Sequence, residues 1–222
     1  MKRWILRAFV LLFFLTFTGI GSSSAAIILP QNPQQQGDHN EADQEALNGS
    51  CGVERWSVKT GTDADASLIN LQSTTQTTIA SLTSLPAPTT LPANNRIQPT
   101  ETTVFQLHAT LTEYKLEPDS DYHLILSDGS GNTIISEMAS PACVGSPSLL
   151  LSSIQNARSE FDARYTTTSS FQTANVPVTV TGVGFFDFLH GQTGVTPNGI
   201  ELPGLLKSRH RDQSTQARAS SG

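Results

Sequence analysis

The sequence predicts a mostly β fold with a single substantial helix, in the order β-β-β-α-β-β. Three observations carry this. Residues 103–138 alternate polar and apolar side chains through two turns. A one-faced apolar pattern of period 3.6 follows at 146–164. Valine- and threonine-rich chain then resumes at 176–183, and Ile200-Glu201-Leu202 begins a further strand.

The chain opens with Lys2, Arg3 and Arg7 around a short apolar run (8–17, AFVLLFFLTF) that ends in GIGSSSAA. A basic start, a short apolar stretch and small residues before a cleavage point make a Sec signal peptide over 1–25, cut after Ala25 or Ala26. An uncleaved anchor is the competing reading. A spanning helix needs about 20 apolar residues, twice what this run offers. No cysteine follows the apolar run, which argues against a lipoprotein. The expected location is therefore secreted or periplasmic.

Of 13 Lys and Arg and 19 Asp and Glu, the signal removes three bases and no acid, which leaves 10 against 19 and a net charge of −9. Such an acidic domain is poorly suited to nucleic acid or anionic lipid, whose binding rests on neutralised phosphates. Cys51 and Cys143 are the only cysteines. In an oxidising compartment they are expected to pair, closing a loop worth ~4.5 kcal/mol of chain entropy. A metal pair or redox site would want CxxC spacing or a neighbouring His, and neither is present.

Residues 26–50, rich in Gln, Asn, Asp and Glu, read as a disordered spacer, with His39 a solvated bystander. A single domain is expected over 51–207. Residues 54–59 (ERWSVK) alternate and are expected to form a short strand, with Trp56 as a core anchor. In GTDADA (61–66) Asp63 reads as a turn cap, because the remaining oxygen ligands of a calcium loop are missing. A short helix is expected over 77–85, then a proline-stiffened connector over 86–99.

The strand at 103–115 places Phe105, Leu107, Ala109 and Leu111 on its apolar face. A turn at 117–120 leads to a second strand (121–127), a glycine-rich hairpin loop (128–132) and a third strand (133–138). Ser146 as cap with Pro147 at the first helical position starts the helix, whose apolar face is Leu150, Ile154, Ala157 and Phe161. A fourth strand (176–183) carries Gly182 at a bulge or tight corner, and a fifth begins at Ile200. Residues 208–222 read as a disordered, locally basic tail. A helix between the third and fourth of five strands is the arrangement of a small OB-like barrel with an N-terminal extension; an open α+β sheet of the same order is the rival.

Three blocks, ATLTEYKLEPDSDYHLILSDGSGNTIISE, SPAC and VTVTGVGFFDFLHGQTGVTPNGIEL, resemble an uncharacterised family of exported bacterial proteins over about residues 51–202. The resemblance implies an exported OB-like domain and supplies no mechanism. It also implies a His after the IEL block, where this chain has Pro203.

Two places could carry chemistry. Asp121 and His123, with Glu137 and the neighbouring Asp119, His190 and Glu201, form an acidic and imidazole-bearing strand face. It could hold Zn²⁺, Mn²⁺ or Ca²⁺ and serve a metal-dependent hydrolase of nuclease or phosphoesterase type. A polar strand face in a half-buried sheet needs such residues anyway, and 101–145 holds no arginine to polarise a phosphate. The second is the run 183–198 (VGFFDFLHGQTGVTPN), where an unbroken strand would send one of Phe185 and Phe186 outward. Phe186, His190, Gln192 and Thr193 are the expected binding residues there. No GxSxG nucleophile motif is present. The expectation is a binding module with no cofactor, no catalytic residues and an unidentified ligand of the envelope or the medium.

Overall fold

The computed structural model describes residues 51–208, and the side chains of those up to 203. The expected signal peptide, the spacer at 26–50 and the tail beyond Ser208 lie outside the described residues.

The segment expected as a first strand is instead a short helix, α1 (Trp56–Thr60). Arg55 precedes it in the left-handed region and Gly61 ends it there, donating its N–H to Ser57 and Val58. One helical turn holds Arg55 and Lys59 close enough to lie over the same Phe185 ring, at 5.1 and 5.6 Å. An extended chain would separate them by more than 10 Å. Trp56 is half-buried and donates Nε1–H to the Cys143 carbonyl at 3.1 Å. It packs beside the Cys51–Cys143 disulfide, which is formed with Cα atoms 5.5 Å apart.

Strand β1 (Thr75–Gln76) and helix α2 (Ile79–Thr83) follow. Thr78 caps α2 by accepting from Ser81 N–H. The connector 86–99 has neither helix nor strand, as its prolines require.

The expected meander is present as β2 (Val104–Leu116), β3 (Tyr122–Ser127) and β4 (Thr133–Met138). Along β2, Leu107 and Leu111 are buried as expected. A register shift between Leu111 and Glu113 then moves the buried face to Tyr114. Helix α3 is Leu151–Asp162, later than the Ser146–Pro147 start, with Ser148 Oγ accepting from Leu150 N–H. Ala157 and Phe161 face the core, Ile154 is half-buried, and Leu150 packs on a satellite cluster of Ile69, Val104 and Val183.

Strand β5 is Gln172–Val183. What was expected as one fifth strand is two, separated by Pro203, which has no N–H to donate. They are β7 (Ile200–Glu201), paired with β6 (Phe185–Phe186), and β8 (Gly204–Ser208), paired with β5. At this crossing Gly182 meets the Pro203 carbonyl so closely that no Cβ fits.

The main sheet runs β4-β3-β2-β5-β8, antiparallel throughout, with β1 added in parallel to β2. It is an open sheet and not a closed barrel: β4 and β8 form its two ends and share no ladder. One bond crosses nearby, from Leu202 N–H to the Ile135 carbonyl at 3.1 Å. The core joins Leu107, Leu124, Leu126, Ile134 and Val180 of the sheet to Phe161, Ile79 and Leu82 of the helices and to Phe186, Ile200 and Leu202. No helix among the described residues is long and apolar enough to cross a membrane.

Candidate functional site

Both places singled out in the sequence converge on one end of the sheet. Residues 187–199 fold back over β3, so the rim loop lies on the acidic face. His123 Nε2 donates to the Thr193 carbonyl at 2.9 Å, and a Cβ on Gly194 would strike Ile125.

Phe185 and Phe186 are both buried, 1% and 2% exposed, which corrects the expectation that one would reach the surface. The strand is not unbroken, since β5 ends at Val183 and β6 holds only Phe185 and Phe186, and both sides of β6 are covered: Arg55 and Lys59 lie over Phe185 while Phe186 enters the core. Phe186 joins the core, and its main chain is spent on Arg55 and Glu101. It therefore cannot serve as an exposed binding residue. The apolar side chains that do emerge are Phe188 and Leu189, 39% and 59% exposed.

The other three expected binding residues hold the loop. His190 Nε2 lies 2.6 Å from Glu54 Oε2. Gln192 accepts from His190 N–H through Oε1 and donates Nε2–H to the Phe188 carbonyl. Thr193 contributes its carbonyl to His123, and its residue is otherwise exposed.

The expected metal set Asp121, His123 and Glu137 does share a face, because His123 pairs with Glu137 across β3 and β4. His123 is poorly placed to ligate, however. Its Nδ1 faces Glu117 and Glu137 carboxylates at 3.4 and 3.6 Å while Nε2 donates to a carbonyl. Both ring nitrogens thus meet acceptors, as an imidazolium needs. Burial works against that charge, but the bond to Glu137 outweighs it and raises the His123 pKa.

Sequence reasoning did not include Lys59 or Asp187. The Lys59 ammonium binds Glu137 Oε2 and lies 3.7 Å from Asp187 Oδ2. Burial pulls its pKa down, yet the carboxylates of Glu137, Asp187, Glu201 and Asp121 together hold it well above the usual lysine value. Glu137 in turn is held far below the ordinary carboxylate range: burial opposes its charge, but Lys59 and His123 prevail. Asp187 behaves oppositely. Burial, reinforced by Glu137, raises it to about 6 in spite of Lys59. Burial and Asp119 push Asp121 well up, and burial raises Asp119 too. The available signals were faint: one acid inside an apolar run (FFDFL) and one lysine closing an alternating stretch.

Glu137, Asp187 and Glu201 present carboxylate oxygens within 4.8 Å of one another. A small cleft reaches Lys59 and Glu137, walled by Val58, Leu150, Ile154 and Phe185.

Fold and site thus define an open-sheet β domain with an exposed apolar pair beside a buried acidic cluster. No known protein family, curated protein or solved structure matches the chain.

Proposed function

We propose that the chain is an exported, OB-like binding module that captures a partner on the rim formed by residues 187–199, which folds back over β3. One observation carries this reading: Phe188 and Leu189 project outward from a loop held from beneath by its own polar groups. An apolar pair on a pre-organised loop loses little freedom on binding. It suits a protein partner with an apolar recess better than a polyol surface. The signal-like N-terminus and the disulfide support export. The strand order supports the OB-like reading, in which the rim corresponds to the loop between the last two strands and so to a usual recognition edge.

A metal-dependent hydrolase is the second reading, favoured only by the proximity of three carboxylates. Lys59 already supplies a cation there.

The test is in-situ crosslinking in the native envelope from a photoreactive residue at exposed position 193 on the same rim. A Phe188→Ser/Leu189→Ser chain should keep its melting temperature and lose the partner that the wild type captures reproducibly. Unchanged capture by a folded double variant would end the proposal.

A further inference from the structure

The rim is tied to the domain by bonds of two kinds. At its second stem, Asn198 Nδ2 donates to the Leu82 and Leu85 carbonyls, and these bonds between neutral groups do not change with pH. At its tip the ties are imidazoles: His190 Nε2 lies 2.6 Å from Glu54 Oε2, and His123 Nε2 donates to the Thr193 carbonyl at 2.9 Å. Gly191 and Gly194 bracket Gln192 and Thr193 with φ of 80° and 90°. Glycine moves in and out of that left-handed region at little cost, so the backbone on both sides of Thr193 can turn.

The surroundings of the buried His123 ring decide what happens when it loses a proton. Nδ1 faces Glu117 Oε1 at 3.4 Å and Glu137 Oε1 at 3.6 Å, and the edge of the ring meets Phe171. Lys115, its cross-strand neighbour on β2, lies 2.9 Å from Glu117, and Lys59 of α1 holds the other Glu137 oxygen. Asp121, Asp187 and Glu201 lie farther off, around Lys59. With both protons, the ring faces every one of these acceptors with an N–H. A neutral imidazole keeps only one. A hydrogen bond to a carboxylate is about twice as strong as one to a neutral carbonyl, so the remaining proton stays on Nδ1. Nε2 then points a lone pair at the Thr193 carbonyl oxygen, and two acceptors at 2.9 Å repel.

We propose that His123 is a proton-operated latch on the tip of the rim: its imidazolium fastens residues 191–195 to β3, and loss of one ring proton unfastens them while the stem at Asn198 stays fixed. Burial works against the imidazolium, but Glu137 and then Glu117 outweigh it and raise the His123 pKa. The latch is therefore closed in acid and opens as pH rises past a value above the usual 6.5. His190 does not work this way, because a neutral ring can keep its Nε2–H on Glu54. The tip is thus pre-organised in mild acid and loosened toward alkaline pH. The latch concerns the order of the rim itself and holds whether or not the rim captures a partner.

The experiment is an NMR titration of the isotope-labelled full chain from about pH 5 to 9. Both ring nitrogens of His123 should carry protons at the acid end, and Nδ1 alone at the alkaline end. The Thr193 carbonyl carbon and the amides of 191–195 should shift with the same midpoint, with Asn198 unmoved. Amide exchange over 191–195 should rise about tenfold beyond the ordinary trend with pH. Glu117→Gln removes one of the two anions at Nδ1 and should lower the midpoint by about half a pH unit, whereas His190→Ala should leave it in place. A neutral ring protonated on Nε2, or a ring that keeps both protons throughout, would overturn the latch. So would a 191–195 segment that stays unmoved while His123 titrates, or that follows His190 instead. A folded Glu117→Gln chain with an unchanged or raised midpoint would overturn it as well. If that variant does not fold, the wild-type titration decides alone.

Discussion

Helix α1 serves two buried ionic centres one turn apart, and they are built on opposite principles. On one side, Arg55 and Glu101 are matched. Glu101 accepts from Arg55 Nη1 and Nη2 at 2.6 and 2.9 Å and from the Ile97 and Phe186 amides. Arg96 completes this region with Asp63 at 2.7 Å and the Val58 and Glu101 carbonyls, and only its Nε–H lacks an acceptor. Each cation has its anion. On the other side, Lys59 faces a surplus of carboxylates. The matched centre is a clamp that fixes the proline connector, through the Pro92 and Asn95 carbonyls, to the start of β6. In the surplus centre burial keeps Asp121 and Asp187 more protonated than ordinary carboxyls, so protons offset part of the surplus. Equal burial therefore does not mean equal charge: the clamp pairs its ions, whereas the Lys59 centre depends on pH.

The sharpest way to break the contrast is to unbalance the clamp. Glu101→Ala should leave Arg55 buried and unpaired and cost about 3–5 kcal/mol in urea unfolding. A loss below 1 kcal/mol would show that the clamp is not structural. Removing the disulfide strikes both centres, because Cys51 anchors the approach to α1. Cys51→Ala/Cys143→Ala should cost about 2–5 kcal/mol for a loop spanning 92 residues.

Asp187→Asn probes the surplus. A carboxyl whose folded pKa exceeds its unfolded value binds its proton more tightly in the folded state. The stability this provides is present below the unfolded value near 3.8 and is lost as pH rises through about 6. Wild type minus variant should therefore fall by on the order of 2 kcal/mol between pH 4 and 7. Stability differences that are flat over that window would contradict the raised Asp187. His123 adds to wild type and variant alike, since its raised pKa makes its contribution fade only above about 6.5. The smallest effect is expected on the rim. His190→Ala/Gln192→Ala removes the contact to Glu54 and bonds within one exposed loop, and should shift stability by about 1 kcal/mol.

The legible parts of the molecule are those written in local periodicity. The meander, the long strand before the rim and the Ala157–Phe161 face of α3 follow from alternation and from the 3.6 repeat. The disulfide follows from there being two cysteines and one way to join them. The acidic face was legible in Asp121, His123 and Glu137 because strand spacing alone puts them together.

The rest was decided by contacts between distant residues. Trp56–Thr60 alternates like a strand, yet Arg55 and Lys59 must reach Glu101 and Glu137, 46 and 78 residues away, and one helical turn delivers both. Phe185 and Phe186 are both buried because Arg55 and Lys59 cover one and the core takes the other, in a short strand that exists through pairing with Ile200 and Glu201. Lys59, Asp187 and Glu201 have no shared period or motif. Burial brings them to one point, and charge at short range in a low dielectric gives that point its chemistry.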